Sequence, residues 1–517
     1  MDFGAWERLG DYLRQTQLLG SIQNTLYWDQ NTAMPFSGAS WRGEQLTFVA
    51  RELHARQTSP LFVSLLEEAK DEFEKGKIAG DLTPSEQWEK SCNIRLLEQD
   101  LQRHQRLDSR LICEIAEAKA IGYHSWQNAR ASNDFLCFAT ALRRLIDLRK
   151  EQARQLQEPR SCWETLAQPF EPDVSYSRLL ELFEPLKERL PCLIERFRSS
   201  DFSITRKEWD LKPSIQKKLC EELLMEWGRD PSIACVGNSP HPFSITLGPC
   251  DFRLTTRIVS GQPLSSFLAV AHEWGHSLYE QGLPSTTHQW FAWPLGQATS
   301  MGLHESQSLF WENRVARSKA FADRWWRKFK KAGAPIGSSD EFWRLMNPLI
   351  PGPNRVEADE LSYGLHILIR TDLEIALLEK DLEVEEIPHE WNLRYMDLLG
   401  LTPKNDLEGC LQDVHWSEGL FGYFPSYLLG HLISAQLSEA MSNDLNSQGV
   451  DSPDPISKLI YDGEESTLLD WLRQNVHLHG RSLNAEELVK SVSGKKLSSG
   501  AFLSYLETKL DLLEDCS

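Results

Sequence analysis

The sequence predicts a mainly α-helical fold with one small β-hairpin set directly before a helix that carries two histidines. Up to Phe197, segment after segment places apolar residues at helical spacing. Only the stretch from Ile233 to Val259 shifts to β-branched runs with turn signals. The stretch after it, Leu268 to Glu280, contains H-E-x-x-H, and a helix turns positions i and i+4 onto one face.

In chain order, Trp6 to Trp28 reads as a helix through Leu9, Tyr12, Leu13, Leu18, Leu19 and Ile22. Helices over Ala39–Arg56 and Leu61–Lys75 follow, the second opened by Pro60. Thr83-Pro84-Ser85-Glu86 predicts an N-cap with proline in the first turn, starting a helix through Gln105. Leu111–Asn128, Asp134–Gln157 and Ser175–Phe197 complete this set. Their dense Glu, Lys, Arg and Gln read as solvated faces without chemistry.

Phe243–Leu247 and Phe252–Val259 predict two strands joined by the tight turn Gly248-Pro249-Cys250-Asp251. Such an edge strand either holds a substrate backbone or is structural only. The histidine helix starts near Pro263 and stops at Gly282 and Pro284. An aromatic loop with His288, Trp290, Phe291 and Trp293 leads to a helix from about Ala298 through Arg314. Asn354 to His366 opens a long helix, and Gly409–Trp416 leads into Gly422–Tyr427, which reads as a binding loop rather than a helix interior. Ser442–Pro455 is a polar loop; Leu468–Arg481 and Leu497–Leu513 are the last helices. No repeat or linker divides the chain, so residues 1–517 read as one α-rich unit with a cleft.

The net charge of -20 excludes nucleic acid and anionic membranes as general partners. Met1 to Arg8 lacks a secretory signal pattern, and no stretch is apolar for the roughly 20 residues of a membrane helix. The expectation is a soluble, cytoplasmic protein. Its 10 cysteines include no C-x-x-C pair and read as reduced, mostly buried thiols. Most of the 18 tryptophans should be core or cleft wall.

The histidine helix carries the chemistry. His272 and His276 lie about 40° apart on it and can face one metal ion, with Glu273 about 60° further round, placed to act on an attacking water. Ser265 and Ala269 share the histidine face and are small, while Leu264, Phe267, Ala271, Trp274 and Leu278 form the opposite, core-facing stripe. Zinc in a hydrolase needs a third protein ligand. The extended pattern that supplies a third histidine requires glycine at 279 and histidine at 282; this chain has Tyr279 and Gly282. The expected third ligand is a carboxylate on a following helix. Glu305 comes first, because small or apolar residues flank it; Glu312 is second, and His288 is a weaker rival on a loop.

Several motifs together resemble one family, the zinc carboxypeptidases typified by carboxypeptidase Taq. They are Leu26-Tyr27-Trp28-Asp29, His241-Pro242-Phe243, Asp251-x-Arg253-x-Thr255, His272 to His276, His304-Glu305-Ser306-Gln307, Arg355-Val356-Glu357-Ala358-Asp359, Gly409-x-x-Gln412-Asp413-x-His415-Trp416, and Trp471 to Asn475 with Gly480-Arg481. The resemblance runs nearly end to end and implies a helical, two-lobed, U-shaped zincin-like fold with a deep groove, usually a homodimer. It implies release of single C-terminal amino acids with broad tolerance, poor on proline, using Zn2+, with Co2+ as the alternative metal. Carried over, His272, His276 and Glu305 are ligands and Glu273 the general base. Arg355, with His415 and Tyr423, holds the substrate's terminal carboxylate, and His241 and Arg253 join the substrate-binding set. Asp413 would orient a ligand or a substrate-binding histidine. Two departures stand out: Asn354 replaces the family's usual Ile or Val, which bears on how Arg355 is held, and the loop within 284–300 is longer, which bears on the groove mouth.

Two rivals remain at this level. A helical zinc endopeptidase would have no carboxylate clamp and would cut peptides blocked at the C-terminus. A catalytically inactive binding protein would lack a ligand or the base, whereas all four groups are present in the chain.

Overall fold

The computed structural model describes residues 4–198, 209–284 and 290–515. The fold is mainly α, with twenty α-helices and one three-stranded sheet among the described residues. The N-terminal helices form where periodicity places them: Ala5–Thr32, Ala39–Gln57, Pro60–Ala79, Pro84–Gln105, Ser109–Ser132, Leu136–Leu156 and Tyr176–Arg198. The Thr83 hydroxyl accepts from the Glu86 N–H, and the Glu86 carboxylate accepts from the Thr83 N–H, a reciprocal cap that fixes where the fourth of these begins. No helix among the described residues is long and apolar enough to cross a membrane.

The expected hairpin is part of a larger sheet. β1 (Ala234–Asn238), β2 (Ser244–Gly248) and β3 (Asp251–Thr256) lie in the order β1-β3-β2. β1 runs parallel to β3, with Ala234 opposite Phe252 and Asn238 opposite Thr256. β1 escapes a sequence reading because Ala234-Cys235-Val236-Gly237-Asn238 has one β-branched residue and a glycine. β1 and β2 are the edge strands, and the rim of β2 is partly taken. Asn24 Nδ2 donates to the Thr246 carbonyl at 3.1 Å, and Ser21 Oγ donates to that of Leu247.

Further boundaries need correction. The long helix expected from Asn354 begins only at Tyr363 and runs to Glu379; a 3₁₀ turn over Arg355–Glu357 precedes it. Asn354 caps that turn by accepting from the Val356 N–H at 3.2 Å, and Asp359 Oδ1 takes the N–H groups of Leu361 and Ser362. These side-chain acceptors compete with the helix and delay it. The polar loop expected from Ser442 is helical to Ser447, as the end of Pro425–Ser447. Its apolar side buries Met441 and Leu445, and Asp444 accepts from the Trp471 indole at 3.0 Å. The thiols are not mostly buried: Cys220 and Cys410 are, whereas Cys113, Cys137, Cys192, Cys235 and Cys250 are exposed. Cys113, Cys137 and Cys192 sit on helices, Cys235 on strand β1 and Cys250 in the turn before β3, where a small residue costs little.

Three helices form the centre of the fold: Pro263–Gly282, Met301–Leu309 and Pro425–Ser447. Glycines let them approach. A Cβ on Gly275 would lie 2.7 Å from Ser308 Cα and 2.9 Å from the Gln307 carbonyl oxygen. A Cβ on Gly430 would lie 2.7 Å from Glu305 Cγ. The aromatic loop ties the N-terminal helices to this centre: Trp293 stacks on Trp6 with ring centroids 4.4 Å apart, and Trp290 and Trp293 are buried with Leu9, Leu13 and Phe62.

Gly275→Ala should therefore destabilise the protein by about 1–3 kcal/mol, read as a lowered Tm. Gly43→Ala is the control. It lies inside the Ala39–Gln57 helix with nothing within 4 Å of an added Cβ, and should be neutral or stabilising by up to about 1 kcal/mol.

Candidate active site

The histidine helix runs from Pro263 to Gly282. Its apolar stripe is buried as the spacing requires: Phe267, Ala271, Trp274 and Leu278 are at most 1% exposed. Phe267 packs on Trp325 and Phe329 with ring centroids 5.2 and 5.0 Å away, and the Trp274 indole donates to the Trp227 carbonyl at 3.2 Å. With that face locked into the core, His272 and His276 turn to the opposite side and meet Glu305. One nitrogen of each imidazole and one Glu305 oxygen lie within 4.8 Å of one another. Glu305 Oε2 is 3.8 Å from His272 Nε2 and 3.5 Å from His276 Nε2.

Each imidazole is held from behind. His272 Nδ1 is 2.9 Å from Glu312 Oε2, and Glu312 Oε1 accepts from Arg317 Nε and Nη2 at 3.1 and 2.9 Å. Glu312, the second choice as ligand, thus stands on the far side of His272 from Glu305. A π-helical turn over Phe310–Ala316 places it there. In a plain α-helix, seven residues would leave Glu305 and Glu312 only about 20° apart. His276 Nδ1 is 2.6 Å from His304 Nδ1, so one of the two must carry the proton. His304 Nε2 lies 2.9 Å from Glu280 Oε1, and Thr246 Oγ1 donates to Glu280 Oε2 at 3.3 Å. A proton on His276 Nδ1 and one on His304 Nε2 satisfy every member and leave His276 Nε2 with a free lone pair toward Glu305.

The charges point the same way. Burial pushes Glu305 up, but His272 and His276 outweigh it and hold the carboxylate down to about 2. Burial likewise opposes ionisation of Glu312, and Arg317 and His272 bring it down to about 2. Burial pushes His272 down, yet Glu305, Glu312 and Glu273 together raise it to about 10. Burial, with the His304 and His272 charges, holds His276 down to about 4. Burial raises Glu273 to about 7, aided by Glu305 and Glu312. Two imidazoles and a carboxylate in an electronegative pocket are a donor set that suits a borderline divalent cation such as zinc or cobalt. Glu273, near neutrality, is matched to moving a proton.

A second cluster lies beside the first. Arg355 Nε and Nη2 each reach Asp413 Oδ1 at 2.8 Å, and its Nη1 donates to Tyr363 Oη at 3.2 Å. Arg370 Nε donates to Asp413 Oδ2 at 2.6 Å, so one carboxylate serves two guanidinium groups. Arg355 and Arg370 hold Asp413 well below the usual carboxylate range despite its burial. His415 Nε2 is 3.2 Å from Tyr427 Oη, its ring centroid is 5.5 Å from that of Tyr423, and burial lowers it to about 4, leaving it neutral. Burial and the nearby Glu305 charge push Tyr423 up to about 12. Tyr363, Tyr423 and Tyr427 each feel both Glu305 and Arg355, so three phenols join the carboxylate of the first cluster to the guanidinium of the second.

The structure thus brings His272, Glu273, His276 and Glu305 together, and Arg355, His415 and Tyr423 beside them. Arg253 stands apart. Its Nε and Nη2 pair with Asp251 at 2.8 Å each, and it lines a cavity of about 230 Å³ with Asn24, Thr246, Glu280 and His304. His241 is exposed, and its ring makes none of the contacts found among the described residues; its neighbour Phe243 packs edge-on to Tyr27 and Trp28 at 5.6 Å. His288 lies outside the described residues. Sequence reasoning missed Glu280, Tyr363, Arg370, Glu374 and Tyr427. Arg370 and Glu374 had a signal, two charges one turn apart in the apolar run Ile367 to Leu378. Glu171 had none. Buried, it accepts from the Gly302 N–H at 2.5 Å and bonds the Ser300 and Ser426 hydroxyls, tying the start of the Glu305 helix to the start of the Tyr427 helix.

A family model described as carboxypeptidase Taq (M32) metallopeptidase matches residues 8–510. The chain is 35% identical to thermostable carboxypeptidase 1 of Thermus thermophilus, covering 98% of each chain. It is 32% identical to carboxypeptidase 1 of Bacillus subtilis, over 96% of each. The crystal structure of an M32 carboxypeptidase from Deinococcus radiodurans superposes with a TM-score of 0.89 at 28% identity, covering 98% of this chain and 99% of that one.

Two outcomes are expected for the metal-free protein. Because His272 holds its proton up to about 10, metal uptake between pH 7 and 9 should release about one proton and tighten as pH rises. Calorimetry in buffers of different ionisation enthalpy reads this directly. Glu312→Gln should weaken metal binding about 10–100-fold, measured by competition with a chelator.

Proposed function

The chain belongs to the carboxypeptidase Taq (M32) family and is a metallocarboxypeptidase acting on peptides; we propose that it releases single C-terminal amino acids through a zinc centre held by His272, His276 and Glu305. The observation that carries this reading is the adjacency of that His-His-Glu constellation to a buried arginine, joined by three tyrosines that feel the charge of both. An exopeptidase needs such a pair of features, one for the scissile bond and one for the free carboxylate beyond it.

When bound, the metal supplies Lewis-acid polarisation of the scissile carbonyl and activates the attacking water. Glu273 takes the proton from that water and delivers it to the leaving amine, and its elevated pKa suits both transfers. Arg355 spends part of its five-donor fork on Asp413 and Tyr363 and has N–H groups left for the substrate carboxylate. Neutral His415 and the phenols of Tyr423 and Tyr427 complete the polar wall without adding charge. Arg253 contributes more remotely, through the cavity it shares with Glu280 and His304, and His241, exposed beside Phe243, belongs to the same substrate-binding set.

The family resemblance of the motifs supports broad side-chain tolerance with poor cleavage at proline and a homodimer, and the free thiols fit a cytoplasmic location. The resemblance also supports reading residues 1–517 as one catalytic unit of two lobes around a central cleft. Cobalt would fit the same donors. The net charge of -20 argues against nucleic acid and anionic membranes as partners. An endopeptidase reading lacks a use for the buried Arg355 cluster, and a purely binding role lacks a use for Glu273.

A peptide with a free C-terminus should give a ladder of products shortened one residue at a time, read by mass spectrometry and lost on chelation. The same peptide as its C-terminal amide should react at least about 100-fold more slowly in kcat/KM, because Arg355 loses its charged partner. Internal cuts in the amide would instead favour the endopeptidase. Glu273→Gln should lower kcat by about 10²–10⁴ with the metal retained.

A further inference from the structure

Glu374 is wholly buried, on the same helix as Arg370 and one turn beyond it. Among the described residues no side-chain cation pairs with it. Three N–H groups converge on it instead: the Trp416 indole on Oε1 at 3.1 Å, the Trp163 indole on Oε2 at 3.1 Å, and the Gly422 backbone on Oε2 at 2.8 Å. Trp416 follows His415, and Gly422 precedes Tyr423. Gly422 has φ +82°, and a Cβ there would lie 2.7 Å from Ala167 Cα, so no other residue fits. Upstream, Arg370 holds Asp413, two residues before His415. One helix therefore grips the segment 413–422 at both ends, through Arg370 and Glu374, with His415 inside the grip and Tyr423 at its edge.

We infer that Glu374 is a positioning residue for the carboxylate-binding wall: through Trp416 and Gly422 it sets where His415 and Tyr423 stand relative to Arg355. The inference rests on the clamp role proposed above for those residues. A carboxylate suits this position because it only accepts, and all three partners only donate. In Glu374→Gln the amide oxygen can serve Trp163 and Gly422, but its NH₂ then meets the Trp416 indole N–H head to head, and the loop must shift.

The test measures the affinity of the metal-free enzyme for a short peptide with a free C-terminus, and KM and kcat of the metal-loaded enzyme on the same peptide. Glu374→Gln should raise both Kd and KM about ten-fold, with kcat within about two-fold and metal content unchanged, a tenfold loss being what one misplaced hydrogen-bonding group costs. Adding Trp416→Phe to Glu374→Gln removes the opposing N–H and should recover most of that loss. The single variants Trp416→Phe and Trp163→Phe each delete one donor to the same carboxylate, but only Trp416 lies on the loop. Trp416→Phe should raise Kd and Trp163→Phe should leave it nearly unchanged, which decides the matter even if Glu374→Gln does not fold. Equal effects of the two tryptophan variants, or an unchanged Kd in Glu374→Gln, would overturn the inference. A wild-type enzyme that binds the peptide without shortening it would defeat the proposed hydrolysis, and the Kd comparison would still decide the role of Glu374.

Discussion

The constraint on which the site depends is an excess of buried negative charge. Glu273, Glu305 and Glu312 act on His272 together, and the protein left to itself answers by keeping that imidazole protonated. Arg317 compensates only Glu312. What remains between Glu305 and the two histidines is a place where a cation is wanted and where the ligand geometry is already set from outside, by Glu312 behind one imidazole and by His304 with Glu280 behind the other. Desolvated carboxylates are costly unless paired. The metal is thus part of the charge balance of the core as well as of the chemistry.

That charge cluster is held by packing of unusual closeness. Gly275 lets the histidine helix rest on the backbone at Ser308, and Gly430 lets the helix that begins beside Tyr423 rest on the stem of Glu305. The candidate metal site and the proposed carboxylate-binding wall are therefore not two attachments on a flexible scaffold. Both bear on the Pro425–Ser447 helix, through Gly430 against Glu305 and through Tyr427 under Arg355, and Glu171 fixes the start of that helix to the start of the Glu305 helix. Asp413 does the same for the proposed clamp by binding two arginines from different elements. Preorganisation of this kind is what lets a site distinguish a terminal carboxylate from a mid-chain carbonyl by position.

Much of this was legible in the residues. The helices up to Arg198, the turn at Gly248, the histidine face and the carboxylate from the following helix all follow from periodicity, capping chemistry and ligand spacing. What escaped has physical causes. β1 has too little β-branched character to stand out, and it exists because β3 supplies a partner. The helix after Arg355 starts late because Asn354 and Asp359 satisfy backbone N–H groups locally. The aromatic loop, expected to be longer than in the family and to alter the groove mouth, has Trp290 and Trp293 turned inward to the N-terminal helices. Partners such as Glu171 and Glu280 are defined by tertiary contacts far apart in sequence, which no local pattern encodes, and Arg370 and Glu374 show only as charges in an apolar run, without their partners.

The widened turn over Phe310–Ala316 limits how this chain can diverge. A π turn inserted in an α-helix accommodates one additional residue. Here it puts Glu305 toward one nitrogen of His272 and Glu312 toward the other, while Arg314 a little further on packs over the Tyr505 ring, 3.1 Å from its centroid. Losing a single residue would rotate everything beyond it by about 100° and unseat both contacts at once. Substitutions along this helix can be absorbed one at a time, but insertions and deletions cannot. Its length should stay fixed in descendants of this chain even where its letters drift.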